Sequence, residues 1–296
     1  MMPTSDAIFS NPDSYLNHLS PQEAFEYETT RNVVLILLGA TIWDLLATLS
    51  DDIKVLKRSR FRTATFCFIF SRVFALVYVL SNVIRRTTPV RNLYATTLSS
   101  IILCGMSIGC SSYLFLQRVR AVYTDRPRVQ QCFTIFWMAY LASESIIGFS
   151  IKPVYIPNTR HFKEAGIQPL ISLSVFVAIA YDSAVFLAIS YKIGIAHVVM
   201  DREMGWKSFI SGKALPRLSQ AVLRGGQQYY LFIFLLLFPS GIALYIPSTP
   251  PMYKSMLTVF FAPLMASMSC RVYRGIKLFE YDVQAIPYPI SEVQSI

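Results

Sequence analysis

Long uninterrupted apolar runs constrain this sequence more than any other feature. Runs of about 18 to 25 residues recur along the chain of 296 residues. At about 1.5 Å per residue, a run of this length matches a hydrocarbon core of about 30 Å. Hydrophobic residues make up 54% of the sequence and charged residues 15%, whereas soluble domains carry about 25% charged residues. The sequence therefore predicts an integral membrane protein.

The order of the runs predicts an all-α fold, a polytopic bundle of seven transmembrane helices. A polar tail, residues 1–31, comes first, and its acidic character differs from the basic start of a cleaved signal peptide. Residues 32–278 form the predicted membrane domain, and residues 279–296 form a short tail. The predicted spans cover residues 32–49, 64–84, 93–116, 132–151, 170–199, 229–246 and 252–272.

The distribution of basic residues predicts the orientation of the bundle. Of the 27 Lys and Arg residues, 18 lie at the first, third and fifth connections and after the last span, and 8 lie on the opposite side. The positive-inside rule places the side with more basic residues in the cytosol. We therefore expect an outer N-terminus and a cytosolic C-terminus. Residence in the plasma membrane is expected with the receptor-like function considered below.

The formal net charge of +10 fits this topology without a nucleic-acid partner. The basic residues flank the spans, and no soluble domain is predicted that could bind nucleic acid. Anionic lipid of the inner leaflet is the expected partner. Within residues 200–228, the stretch "ALPRLSQAVLRGG" predicts a short helix on the inner membrane surface. It is either a connector resting on lipid or a docking surface for a cytosolic signalling protein.

Two charged residues lie near the middle of the first two predicted spans. Asp44 and Arg72 are each about 16 Å from the start of their apolar runs, at about 1.5 Å per residue. A charge at this depth costs about 2.5 to 3.5 kcal/mol. Because adjacent antiparallel spans pack side by side, we expect these two residues to form an intramembrane ion pair. The pair is either structural or opens in a switching or transport cycle.

Two further acids, Asp182 and Glu144, and the two neighbours of Asp182 in the sequence are candidate ligand-binding or transport residues. Asp182 lies in the fifth predicted span between Tyr181 and Ser183, which can hydrogen-bond nearby groups, and Glu144 lies in the fourth span. Acids within spans usually face the bundle interior or a cavity. Asp182 is the stronger candidate because Glu144 is nearer the outer interface. For both residues, a packing role with a satisfied hydrogen bond stays open.

The third predicted span is rich in small residues. Gly105 and Gly109 have the GxxxG spacing, and serines and Cys104 follow a neighbouring stripe. Small residues allow close approach of helices in lipid. The pattern is typical of a span at the centre of the bundle.

The sequence predicts no enzyme, no metal site and no cofactor. The three histidines are scattered between a tail, a connection and a span end, and no serine lies in a GxSxG motif. The five cysteines fall inside or at the ends of spans, so no disulfide framework is expected. Cys270, beside the basic stretch "RVYR", is a candidate for palmitoylation or a buried small hydrophobic residue.

Four stretches together resemble one family. They are "IWDLLATLSDDIKVLKRSRFRTATFCFIFSRVF", "YDSAVFLAISYKI", "LPRLSQAVLRGGQQYYLF" and "MLTVFFAPLMASMSCRVYRGIKL". The chain resembles, from about Val33 to Leu278, the uncharacterised seven-span membrane proteins of mushroom-forming (basidiomycete) fungi with an N-terminal domain of unknown function. The family often has Tyr after the second-span Arg, where this chain has Val73. The resemblance implies topology and little about function.

Three functions fit these features. The leading prediction is a receptor-like protein that senses a small ligand from the outer side and signals through basic cytosolic loops. The first alternative is a small-solute or proton-coupled transporter, and the second is a structural or accessory membrane protein. The motifs of rhodopsin-like receptors are missing, since the third span ends in "LQRVRAVY" and the seventh contains "APLMA". The receptor prediction is therefore an analogy at the level of fold.

Overall fold

A computed structural model describes residues 15–59, 62–145, 151–157, 159–200 and 234–284. A short 3-10 turn, Tyr15–His18, comes first. The described residues then form α1 (Pro21–Arg58), α2 (Thr63–Thr87), α3 (Leu93–Val122), α4 (Pro127–Glu144), β1 (Ile151–Tyr155), β2 (Phe162–Ile167), α5 (Ile171–Met200), α6 (Phe234–Tyr245) and α7 (Pro251–Gln284).

Five of these helices are long and apolar enough to cross a membrane. They are α1, α2, α3, α5 and α7. The chain thus has the helical, membrane-like fold that its composition predicts. The 18 residues of α4 and the shorter apolar helix α6 correspond to the fourth and sixth predicted spans. The count of seven spans therefore stays a prediction.

Several helices extend beyond the apolar runs. α1 begins at Pro21, inside the predicted polar tail, because Ser20 and Glu23 form a capping box at its N-terminus. α7 continues to Gln284, into the predicted C-terminal tail. The ends of the apolar runs mark the lipid boundary, whereas helix ends depend on caps and turns.

The fourth predicted span differs from the structure at its end. α4 ends at Glu144, and Ile151 is the first residue of strand β1. Pro153 within β1 lacks the backbone N–H that a helix interior requires. The predicted inner-surface helix and residues 229–233 of the sixth span lie outside the described residues, as do the ends of both tails.

Helix α3 lies at the centre of the bundle and contacts α2, α4, α5 and α7. Its small residues allow this, since Ser107 Oγ donates a hydrogen bond of 3.1 Å to the Ser71 backbone carbonyl of α2. One buried cluster spans α1, α2, α3, α4, α5 and α7, and includes Ile108, Tyr140 and Val259.

The outer surface of the bundle is apolar, as contact with lipid requires. On α1, Trp43 is 73% exposed and Leu46 62% exposed. On α2, Phe66, Phe70 and Phe74 form a stacked row four residues apart. Large apolar side chains in such positions are stable against acyl chains and unfavourable in water.

Strands β1 and β2 form an antiparallel hairpin between α4 and α5. The hairpin lies over the ends of α2 and α3, where the Val90 amide donates to the Arg160 carbonyl at 2.8 Å. The 3-10 turn Tyr15–His18 packs against the hairpin, because the Tyr15 ring stacks on His161 with 4.0 Å between ring centroids. We call this side of the bundle the hairpin end; basic-residue counts predict that it faces outward.

The opposite end is closed by polar contacts between the other helix termini. Ser59 and Tyr281 hydroxyls lie 2.7 Å apart. Lys192 Nζ of α5 donates to Asp125 Oδ2 of the α3–α4 connection at 2.6 Å. This hydrogen bond holds the pKa of the Asp125 carboxyl below its usual value.

The packing of α6 against α5 can be tested at Gly241. A Cβ atom at this position would lie 3.3 Å from Phe176 and Val175 side-chain atoms, whereas one at Gly39 on α1 would meet nothing within 4 Å. We expect Gly241→Val to destabilise the fold by about 1 to 3 kcal/mol through overpacking. Gly39→Val is the matched control and leaves stability nearly unchanged. Thermal unfolding midpoints of the detergent-solubilised proteins check this, and equal midpoints would contradict the α5–α6 contact.

Candidate functional site

An ionic network joins α1, α2 and α7 in the half of the bundle away from the hairpin. Asp44, Thr48 and Asp52 are spaced four residues apart, so they share one face of α1. Arg72 belongs to α2, the antiparallel neighbour of α1, and its side chain contacts this face. The arrangement brings together the two residues of the predicted ion pair.

Arg72 is shared between the two carboxylates of α1. Its Nη2 donates to Asp44 Oδ2 at 3.1 Å and to Thr48 Oγ1 at 2.7 Å, and its Nη1 contacts Asp52 Oδ2. Arg72 is only 7% exposed. The planar guanidinium can serve both acids because its donors diverge. The pair foreseen from the sequence is therefore part of a larger network.

Helix α7 supplies the remaining members of the network. Arg274 Nη1 donates to Asp52 Oδ1 at 2.7 Å, and Arg271 Nη2 donates to Asp44 Oδ1 at 3.2 Å. Ser267 Oγ donates to Asp44 Oδ2 at 3.0 Å. Two carboxylates and three guanidinium groups thus connect three helices. A small cavity of about 180 Å³ lies beside Asp44 and Arg72, between α1, α2 and α7.

Sequence reasoning missed Asp52, Arg271 and Arg274 because they lie near span ends, where charges are ordinary. A signal was present in the spacing. Ser267, Arg271 and Arg274 follow one another by four and three residues, which predicts one polar face on α7. That α7 packs against α1 could not be read from this spacing.

Asp182 is buried on α5 and stands apart from this network. It is 8% exposed, and neither of its carboxylate oxygens has a hydrogen-bond partner among the described residues. Its neighbours have structural contacts: Tyr181 donates its hydroxyl to the Ser112 carbonyl at 3.3 Å, and Ser183 donates to the Ile179 carbonyl at 2.5 Å. Tyr181 also stacks on Tyr140 of α4, at 5.4 Å between ring centroids.

Glu144 lines a cavity of about 660 Å³ between α3, α4 and β1, which we call the lateral cavity. Its volume falls within the range of about 300 to 1,000 Å³ that is typical of small-molecule sites. The walls are mostly apolar. The lining residues are Tyr94, Thr97, Leu98, Ile101, Ile102, Cys104, Gly105, Met106, Leu141, Glu144, Ser145, Ile151 and Pro153. Of the four candidates from the sequence, Glu144 is the one that lines this cavity.

A third cavity, of about 50 Å³, lies beneath the hairpin, and we call it the arginine cavity. Arg85 and Arg86, from the last turn of α2, line it together with Glu164 of β2. Arg86 Nη2 donates to Glu164 Oε1 at 2.8 Å and to Ser255 Oγ at 2.9 Å. Both arginines follow the second predicted span directly, and in the structure they are buried beneath the hairpin.

Cys270 is fully buried between α2 and α7. Its sulfur lies 3.1 Å from Ser71 Oγ, and the side chain has no exposed surface. An acylating enzyme requires an accessible thiol, so this packing favours the role of a buried small residue over palmitoylation. Within the part of the chain that the structure describes, no group of three or more His, Cys, Asp or Glu residues could hold a metal ion.

Comparison of the sequence with protein-family models gives no match, and comparison with curated proteins gives no significant similarity. The candidate functional features of the described residues are therefore the ionic network, Asp182, the lateral cavity and the arginine cavity.

The network predicts unequal costs for its arginines. We expect Arg72→Gln to lower stability by about 3 to 5 kcal/mol, because two carboxylates would lose a buried counter-charge. Arg271→Gln is the matched control: Arg271 is 45% exposed, so its loss should cost about 1 kcal/mol or less. Asp44→Asn should be milder than Arg72→Gln, since Asp52 still pairs with Arg72.

Thermal unfolding of the solubilised variants, monitored by size-exclusion chromatography of the heated samples, measures these differences in stability. Similar unfolding midpoints for Arg72→Gln and Arg271→Gln would contradict the prediction that Arg72, which two carboxylates share, contributes more to stability than Arg271.

Proposed function

We propose that this protein is a receptor-like integral membrane protein that binds a small ligand in the lateral cavity. The observation that supports it is the cavity itself, large enough for a small molecule and lined by Glu144, a candidate from the sequence. The cavity lies at the hairpin end, where α3 begins and α4 ends. On the predicted topology this end faces the outside, so the ligand arrives from the outer aqueous side.

The lining residues indicate the chemistry of the ligand. Leu98, Ile102 and Met106 present apolar surface that is also open on the flank of α3. Glu144 adds one carboxyl group at the wall. A largely apolar molecule with one cationic or hydrogen-bond-donating group fits this combination, because the donor pairs with the carboxyl while the remainder is desolvated.

Helix α3 offers the route from the cavity to the cytosolic side. It runs through the bundle centre, and next to its far end Tyr123 donates its hydroxyl to the Ala188 carbonyl of α5 at 2.8 Å. Arg118 and Arg120 belong to its last turns, near the basic α3–α4 connection. A ligand that shifts α3 relative to α4 would thus change the surface offered to a cytosolic signalling protein.

A transporter is the second candidate, and Asp182 favours it. A buried carboxylate without a partner among the described residues is the kind of group that binds and releases protons or ions within a membrane. An accessory protein held together by the ionic network is the third candidate. We assign the chain no catalytic role and no cofactor. On resemblance alone we propose kinship with the basidiomycete seven-span proteins, and with the receptor-like role we propose residence in the plasma membrane.

Accessibility of the lateral cavity tests the receptor proposal. In a background without the native cysteines, Gly105→Cys places a thiol on the cavity wall, where a Cβ atom meets nothing within 4 Å. We expect a membrane-impermeant methanethiosulfonate reagent to label it from the hairpin side only. Gly39→Cys, which also has open space but lies on the exposed apolar face of α1, should stay unlabelled because thiolates do not form in lipid.

Right-side-out and inverted vesicles give the two directions of access. Labelling of Gly105→Cys from both sides would favour a transport pathway, and absence of labelling would mean that the lateral cavity does not admit water-borne molecules, against the receptor proposal.

Asp182→Asn separates a transport role from a packing role. Because the carboxylate pays for burial without a described partner, we expect the amide to leave stability unchanged or to raise it by about 1 kcal/mol. If the protein carries protons, the same variant abolishes pH change inside liposomes loaded with a pH-sensitive dye. A clear loss of stability would instead identify Asp182 as a packing residue.

A further inference from the structure

The arginine cavity has an electrostatic imbalance that its own residues do not remove. Arg85 and Arg86 contribute two positive charges, and Glu164 contributes one negative charge to its wall. All three side chains are more than nine-tenths buried. Buried guanidinium groups are stable only when their charge and donors are matched. One positive charge is left over among the lining residues.

Several donors of the two arginines are also unused. Arg85 Nη2 donates to Thr97 Oγ1 at 3.0 Å, and the guanidinium lies over the Phe162 ring, 4.6 Å from its centroid. Arg85 Nε, Arg86 Nε and Arg86 Nη1 are buried and have no hydrogen-bond partner among the described residues. Buried polar atoms in folded proteins nearly always have a partner, so these donors indicate an occupant.

The space beside the arginines suits a small occupant. The volume open to the centres of water-sized spheres is about 50 Å³. By the same measure, one water molecule needs about 10 to 15 Å³. An ion of a few heavy atoms with a water molecule therefore fits. Ser100 and Thr258 also line the wall, but their hydroxyls donate to the Thr96 and Ser255 backbone carbonyls. The donors offered to an anion are therefore those of the arginines.

We propose that the arginine cavity is a binding site for one small monovalent anion, accompanied by water. The anion takes the unused donors of Arg85 and Arg86 and balances the surplus charge. Glu164 Oε2 also has no partner within the described part of the chain; it excludes a second anion and accepts a hydrogen bond from the water. The site is distinct from the lateral cavity, which Glu144 lines.

An anion at this position would fasten the hairpin to the bundle. Phe162 and Glu164 belong to β2, the two arginines belong to α2, and Ser255 belongs to α7. The walls also include Thr97, which lines the lateral cavity as well. Occupancy of the arginine cavity therefore sets the position of the hairpin beside the proposed ligand site, in the manner of an allosteric ion.

Thermal unfolding of the full chain in lipid nanodiscs tests the site. Titration with chloride, nitrate or formate, at constant ionic strength held with gluconate, should raise the unfolding midpoint with a saturable dependence on concentration. Gluconate is too large for the cavity and serves as the reference anion. Equal midpoints in all salts at equal ionic strength would overturn the proposal.

Two variants that each remove one positive charge test whether the anion effect arises in the arginine cavity. We expect Arg85→Gln to weaken the apparent anion affinity at least tenfold, whereas Arg91→Gln, which removes an exposed charge at the same end, leaves it unchanged. An unchanged affinity in Arg85→Gln would reject the site. If Arg85→Gln does not fold, the parent protein crystallised with bromide decides by anomalous scattering. Bromide in the arginine cavity supports the proposal, and water alone contradicts it.

Discussion

The bundle depends on how Arg72 is neutralised within the membrane. An unpaired guanidinium at this depth is costly. Helix α1 provides three partners for it, the carboxylates of Asp44 and Asp52 and the Thr48 hydroxyl. Each carboxylate then takes a second guanidinium from α7. The ionic network therefore holds α1, whose outer face is largely exposed, against α2 and α7. Removal of one member changes the charge balance of the rest, so the network constrains the position of α1 relative to α2 and α7.

The two halves of the molecule manage buried charge differently. In the half away from the hairpin, acids and arginines contact one another directly. At the hairpin end, Arg86 has Glu164 and Ser255, yet donors of both arginines stay without described partners. The first arrangement suits rigidity, and the second suits exchange of a small occupant. The lateral cavity lies at the same end, so the groups that could respond to a ligand are concentrated beneath the hairpin.

Sequence reasoning identified the membrane class and the meeting of Asp44 with Arg72, because both follow from apolar periodicity and from the cost of charge in lipid. It did not find Asp52, Arg271 or Arg274, since charges at span ends are common and carry no warning. Arg85 and Arg86 likewise follow the end of a predicted span, so nothing in the sequence indicated that they are buried. Strand β1 begins at Ile151, the last residue of the fourth predicted span, and apolar composition alone cannot distinguish a short strand from a helix at such a position.

The sequence by itself determined that the chain is helical and apolar enough for a bilayer, and where unpaired charges could not remain. Hydrocarbon imposes these conditions locally, on each run of residues. Only the tertiary structure decided which charges share a partner, that Glu144 lines a cavity while Asp182 is buried apart from it, and that the hairpin covers two arginines. These outcomes depend on contacts between residues far apart in the chain, and such contacts arise when helices pack and leave no local pattern.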